Sequence, residues 1–70
     1  MERTPVTSTM IRAVGYDAET KSLEIEFNKG GAIWLYSEVP AEEHDALMKA
    51  DSLGKYFLSR IKDKYPATKQ

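Results

Sequence analysis

The residues with the most chemical potential in this sequence are a histidine and the acids beside it. His44 lies between Glu43 and Asp45 in a segment predicted to be helical. Side chains one position apart on a helix point in different directions, so this triplet lacks the spacing of a catalytic triad or a metal site. We expect His44 to be partly buried where a helix meets a sheet.

Other catalytic signatures are also missing from the sequence. The serines stand outside any nucleophile-elbow motif, and Gly30-Gly31 has the form of a turn rather than a phosphate-binding loop. Cysteine is absent, which removes disulfides and thiolate chemistry. The sequence therefore predicts a protein that is not an enzyme and that has no cofactor and no metal.

Charged side chains form two stretches of opposite sign. Residues 38–51 hold five acids and one lysine, a balance of −4, whereas residues 55–69 hold five bases and one acid, a balance of +4. Basic side chains can contact phosphates and gain affinity by counterion release, although the same pattern is typical of a solvated helix edge. The candidate phosphate contacts are Lys55, Arg60, Lys62 and Lys64.

Two aromatic residues could add base stacking to those contacts. Trp34 and Tyr36 alternate with Ile33 and Leu35, so in a strand both rings face the same side. Exposed rings on a sheet can stack on unpaired bases, whereas inward rings belong to the core. Because a chain of 70 residues needs its large side chains for packing, we expect at least one ring in the core.

The elements that must position these residues are strands first and helices second. Ser22–Phe27 alternates polar and apolar side chains, which predicts a strand with one buried face. Apolar segments at 10–16 and 32–37 flank it across turn-rich loops. The sequence therefore predicts an antiparallel meander of three strands whose apolar face needs a cover.

Two helices are predicted to provide that cover. The first spans residues 40–50 and begins at Pro40, and the second spans residues 53–65 and ends before Pro66. The fold class is α+β, with one domain over residues 8–65 and mobile segments at 1–7 and 66–70. Glu43 falls inside the apolar arc of the first helix, so it lies either at the rim of the core or at an edge where a partner sits.

Several short motifs follow one another in a characteristic order. They are Ser8-Thr9-Met10-Ile11, Val14-Gly15-Tyr16-Asp17, Trp34-Leu35-Tyr36, Val39-Pro40 and Ala50-Asp51-Ser52-x-Gly54-x-Tyr56-Phe57. This order resembles the KTSC family, short domains found alone in bacteria and phages and at the C-terminus of some lysyl-tRNA synthetases. The chain departs from the pattern at Trp34, where tyrosine is usual, at Glu43-His44, and at Leu58, where asparagine is frequent.

The resemblance implies RNA binding through the association with a tRNA synthetase. We therefore expect a small non-catalytic module that binds RNA or single-stranded nucleic acid through Trp34, Tyr36 and the basic residues above. The alternative is a protein-interaction or self-association module, such as a phage-encoded accessory or inhibitor protein. With no signal-peptide pattern and no apolar run of about 20 residues, we expect a cytoplasmic location and no membrane partner.

Overall fold

The computed structural model describes residues 3–6 and 8–70 and contains, within them, one five-stranded antiparallel sheet and two helices. The strands follow one another across the sheet in chain order. The bounds are β1 Arg3–Pro5, β2 Ile11–Asp17, β3 Ser22–Phe27, β4 Ile33–Tyr36, α1 Ala41–Lys49, α2 Leu53–Arg60 and β5 Ala67–Lys69. The α+β class predicted from the sequence is confirmed.

The predicted number of three strands was wrong, because a short strand is added at each edge of the meander. Arg3–Pro5 pairs with β2, and Ala67–Lys69 pairs with β4. Both lie in the segments expected to be mobile, of which residues 1, 2 and 7 are outside the described residues. Each added strand has three residues and no apolar alternation, so backbone pairing to an existing edge defines it, and its side chains leave no pattern to read.

One face of the sheet forms the core with the helices. Register places Val14 beside Ile25, and both are fully buried. Leu47 of α1, Phe57 of α2 and Ile61, directly after α2, are buried in the same cluster. The ring of Phe57 meets Tyr36 edge to face at 5.4 Å, which fixes α2 over β4.

The opposite face of the sheet is covered by charged side chains rather than by a helix. Glu24 and Glu26 point there from β3, and Arg3 contacts both carboxylates. Arg12 adds a second contact to Glu26 at 3.6 Å. Among the described residues, this face therefore presents ion-paired side chains from β1 to β3, beside Ile33 and Leu35 of β4.

Helix α2 ends earlier than predicted. The Ser52 hydroxyl accepts a hydrogen bond from the backbone N–H of Lys55 and caps its beginning. At the other end, the carbonyl of Phe57 accepts from the N–H of both Ile61 and Lys62, at 3.0 and 2.9 Å. Because one carbonyl takes two donors, the helical ladder stops advancing, and a turn over residues 61–65 leads into β5.

Candidate functional site

An open groove lies between the end of α2 and the strands β3, β4 and β5. Its volume is about 630 Å³, within the range of small-molecule and side-chain binding sites. We call it the α2 groove. Its apolar lining includes Met10, Phe27, Trp34, Phe57, Leu58 and Ala67.

Leu58 is the most unusual member of this lining. Its side chain is 49% exposed, and among residues 3–6 and 8–70 it is the one large hydrophobic residue that is exposed. Phe57 directly before it is buried, so Leu58 points away from the core and toward the open groove. A single exposed leucine is ordinary on a protein surface, but Leu58 lines the same groove as the half-buried Trp34, so it extends the apolar lining to the margin.

Charged side chains line the same groove. Lys29 enters from the turn between β3 and β4, and Lys62 and Asp63 enter from the turn after α2. Two lysines and one aspartate give these three a net positive charge. Burial of Tyr36, together with the negative charge of Asp63, raises the pKa of the tyrosine hydroxyl and keeps it neutral.

The two predicted stacking residues have different positions. Trp34 is half-buried and lines the α2 groove. Tyr36 is only 4% exposed and packs in the core, as we expected for one of the two rings. Tyr36 also lines the groove, but with so little of its side chain exposed, the stacking role predicted for it does not fit this conformation.

The four predicted phosphate contacts do not form one surface. Lys62 lines the α2 groove. Lys64 points instead to Glu43, with 3.6 Å between its Nζ and the carboxylate. Lys55 and Arg60 are exposed on α2 outside the groove lining, so the structure brings only Lys62 together with Trp34.

A second polar cluster surrounds Glu43. Its side chain is only 11% exposed, and its two carboxylate oxygens accept hydrogen bonds from the hydroxyls of Tyr56 and Tyr65. The distance from the Tyr65 hydroxyl is 2.7 Å. Glu43 thus lies at the rim of the core, and its partners come from its own chain.

The pKa values in this cluster follow from these contacts. Burial acts to raise the pKa of Glu43, but the hydrogen bonds from Tyr56 and Tyr65 and the charge of Lys64 outweigh it, so the pKa is lowered. Burial and the bond to Glu43 raise the pKa of Tyr65 to about 12. The same carboxylate raises the pKa of Tyr56. The cluster therefore holds one carboxylate and two neutral phenols beside the ammonium of Lys64, an arrangement that links α1, α2 and the turn before β5.

His44 lies where the sequence places it, between α1 and the sheet. Its ring stacks on Tyr16 with 4.7 Å between centroids and planes 8° apart, and the Tyr16 hydroxyl donates to the carbonyl of Val39. Within residues 3–6 and 8–70, no group of three or more acids and histidines is arranged to hold a metal ion. The stacked contact with Tyr16 packs His44 between α1 and β2.

Sequence reasoning missed the contribution of Met10, Phe27 and Leu58 to the groove. The available signal was Leu58, an apolar residue one position beyond the stripe that faces the core. Phe27 continues the buried face of β3 and meets Phe57 of α2 edge to face at 5.4 Å, yet it is only partly buried and lines the groove. No local pattern in the sequence indicates that α2 leaves it partly uncovered.

Comparisons with known proteins agree with one another. A sequence profile described as the KTSC domain matches residues 7–65. An uncharacterised protein of Stutzerimonas stutzeri is 46% identical over 57 residues, which cover 81% of this chain and 79% of the relative. A protein of Tsukamurella paurometabola is 41% identical over 63 residues, which cover 90% of this chain and 92% of the relative.

A solved structure shares the whole architecture. The crystal structure of a KTSC domain protein from Yersinia pestis superposes with a TM-score of 0.94 at 38% sequence identity. The match covers 99% of this chain and 96% of that chain. Within the part of the chain that is described, no helix is long and apolar enough to cross a membrane.

Proposed function

The chain belongs to the KTSC domain family, and we propose that it is a non-catalytic protein-interaction module whose α2 groove binds an apolar side chain of a partner polypeptide. One observation carries this proposal. The groove has a volume of about 630 Å³ with an apolar lining, and Leu58 at its margin is 49% exposed.

The composition of the groove favours a polypeptide over a nucleobase. Aromatic residues and methionine are enriched in the cores of protein interfaces, and Met10, Phe27 and Trp34 supply them here. Hot spots form where one large side chain fills a desolvated pocket. An aliphatic margin such as Leu58 gives a base no hydrogen bond, whereas it adds apolar contact to a leucine or phenylalanine side chain.

A direct test uses a synthetic acidic hexapeptide with one central phenylalanine as the probe. We expect it to shift the NMR signals of the Trp34 indole and the Leu58 methyl groups. Leu58→Glu should weaken binding about tenfold, because covering the exposed half of a leucine side chain contributes roughly 1–1.5 kcal/mol and about 1.4 kcal/mol is tenfold in affinity. Ser59→Glu adds the same charge at the adjacent exposed position and should leave binding within about twofold. Equal affinities for the two variants would contradict the proposal.

Single-stranded RNA or DNA is the second candidate ligand, and the proximity of Lys29 and Lys62 to Trp34 favours it. A base stacked on Trp34 would place its phosphates within reach of these lysines. Oligouridylate and oligothymidylate, titrated at low and moderate salt, test this candidate by quenching of Trp34 fluorescence. Lys62→Ala should weaken binding more than Lys55→Ala, because Lys62 lines the groove and Lys55 does not. Absence of quenching at low salt would reject the nucleic-acid candidate.

Self-association is the remaining form of interaction. Both edge strands are short, with Pro5 in β1 and Pro66 directly before β5, and short proline-bearing edges resist pairing with another sheet. We therefore favour a foreign protein as the partner, in the manner of an accessory or inhibitor protein. Sedimentation over a range of concentrations tests for a dimer. The cytoplasmic location stays a prediction from the sequence.

A further inference from the structure

Strand β5 is weakly anchored for a strand that borders a groove. All three of its residues, Ala67, Thr68 and Lys69, are exposed. Beyond its pairing with β4, two backbone hydrogen bonds close its ends: Ser37 donates to the carbonyl of Pro66 at 2.9 Å, and Gln70 donates to the carbonyl of Ile33 at 2.8 Å. Backbone pairing, rather than side-chain burial, therefore holds β5 in place.

The side chain that β5 presents to the α2 groove is a single methyl group. Ala67 is the register partner of Tyr36 and lines the groove. Side chains alternate along a strand, so Thr68, opposite Leu35, faces the outer side of the sheet. A methyl group fills little of the groove beside Tyr36, although this position of the strand faces it.

We infer that the edge of β4 is a docking site for an extended, acidic polypeptide segment, which pairs with β4 in place of β5 and inserts a large apolar side chain where Ala67 lies. This inference rests on the proposed function and specifies how the partner binds. Addition of a strand to a sheet edge is an established mode of peptide recognition, in which backbone bonds give affinity and side-chain pockets give specificity.

The exchange conserves the backbone hydrogen bonds of β4, because an incoming strand makes the same bonds that β5 gives up. The incoming segment competes with a tethered strand, so its added apolar contact must exceed the advantage of β5 in effective concentration. That contact comes from the side chain at the Ala67 position, which lies opposite Tyr36 and, when it is large, extends along the groove lining toward Trp34 and Leu58.

The charge of the groove lining indicates the charge of the partner. Lys29 and Lys62 line the groove against a single acid, Asp63, among its described lining residues. An acidic segment is attracted to this edge, and a basic segment is repelled. Lys69 of β5 itself adds positive charge on the groove side, opposite Trp34, so replacing it with an acidic strand also removes repulsion from the two lysines.

The probe for this inference is a synthetic peptide copied from residues 65–70 with Ala67→Phe and Lys69→Glu. Added to the full ¹⁵N-labelled chain, it should move the amide signals of Ala67, Thr68 and Lys69 to positions typical of unstructured peptide. The amides of β4 should stay protected from exchange with solvent. The unsubstituted peptide of residues 65–70 is the control, and its affinity should be lower by at least about tenfold.

A variant of the chain provides an independent measurement. Ala67→Phe should fill the α2 groove from within, raise the melting temperature, and weaken binding of the probe about tenfold. Thr68→Phe places the same ring on the outer face and should leave probe binding within about twofold. Equal effects of the two variants would overturn the inference.

The outcomes separate the inference from the proposed function. If the probe shifts Trp34 and Leu58 while the β5 amides stay unchanged, strand exchange is overturned and groove binding stands. If neither Trp34 nor Leu58 responds to the probe or to the acidic hexapeptide, the proposed function fails as well. A dimer that forms without the probe by exchange of β5 between two copies would overturn the inference. The occupant of the β4 edge would then be a second copy of this chain and not an acidic partner.

Discussion

Glu43 joins three parts of the chain through one carboxylate. It projects from α1 and accepts a hydrogen bond from the hydroxyl of Tyr56 in α2. It accepts a second from the hydroxyl of Tyr65 in the turn before β5. Lys64 lies 3.6 Å away and supplies positive charge. Because the turn over residues 61–65 also carries Lys62 and Asp63 into the α2 groove, Glu43 helps to position the groove without lining it.

Glu43→Gln is expected to destabilise the fold by about 1–3 kcal/mol, since a half-buried acceptor of two hydroxyl bonds loses its charge. The urea midpoint measures this change. Glu42→Gln is the matched control, because Glu42 is exposed in the same helical turn, and it should change stability by no more than about 0.5 kcal/mol. Equal midpoints for the two variants would show that the cluster does not stabilise the fold.

The same residue predicts a dependence on acid. The pKa of Glu43 is lower in the folded chain than its ordinary value of 4.5, so the charged carboxylate favours folding. Its stabilisation is complete above pH 4.5 and is lost as the pH falls through the folded pKa. The stability difference between the wild type and Glu43→Gln should therefore shrink below pH 4.5. A difference that is constant down to the lowest pH at which the chain folds would contradict this assignment.

At the scale of elements, α2 is held close to the loop before β2 by Gly54. This glycine is buried, and a Cβ atom there would lie 3.4 Å from the Cβ of Met10 and 3.5 Å from its Sδ. These are ordinary contact distances, so one methyl group fits and a larger side chain does not.

Gly54→Ala is therefore expected to be neutral or to stabilise by up to about 1 kcal/mol, because alanine has the higher helix propensity. Gly54→Leu should destabilise by about 1–3 kcal/mol through overpacking against Met10. Lys55→Leu, at the next and exposed position, is the control for leucine on this helix. Thermal unfolding of the three variants measures the effects. A Gly54→Leu protein as stable as Lys55→Leu would disprove the close packing.

The bounds of β3, α1 and α2 show which parts of the fold the sequence predicts. Strand β3 has the predicted bounds, because Leu23, Ile25 and Phe27 alternate with polar residues. The start of α1 follows Pro40 as predicted. The end of α2 was missed because it depends on a shared carbonyl at Phe57, a feature of tertiary geometry rather than of residue type.

The candidate site was predictable only in part for the same reason. Trp34 and Lys62 were singled out from residue type and do line one groove. The α2 groove is lined by residues from the segment before β2, from β3 to β5, from α2 and from the turn after it. Such a juxtaposition of distant segments leaves no periodic signal in the sequence, so Met10, Phe27 and Leu58 could be assigned only from the structure.

For the whole molecule, three phenols link stability to alkaline pH. The pKa of Tyr65 is about 12 in the folded chain against an ordinary value of 10.0, and the pKa values of Tyr56 and Tyr36 are also raised. A group with a raised folded pKa stabilises the native state fully below its unfolded pKa, and that stabilisation is lost as the pH rises toward the folded value. We therefore expect stability to decline between pH 10 and about pH 12.

Urea unfolding at a series of alkaline pH values measures this decline, and phenolate absorbance reports ionisation in parallel. Lysine side chains lose charge in the same range, so wild type and Tyr65→Phe must be compared. Tyr65→Phe should be less stable at neutral pH because it loses the bond to Glu43, and its stability should fall less steeply above pH 10. Lysine titration is common to both proteins and cancels in the difference. If the free energy of unfolding fell equally steeply with pH in the two proteins, the ionisation of Tyr65 would not contribute to the loss of stability.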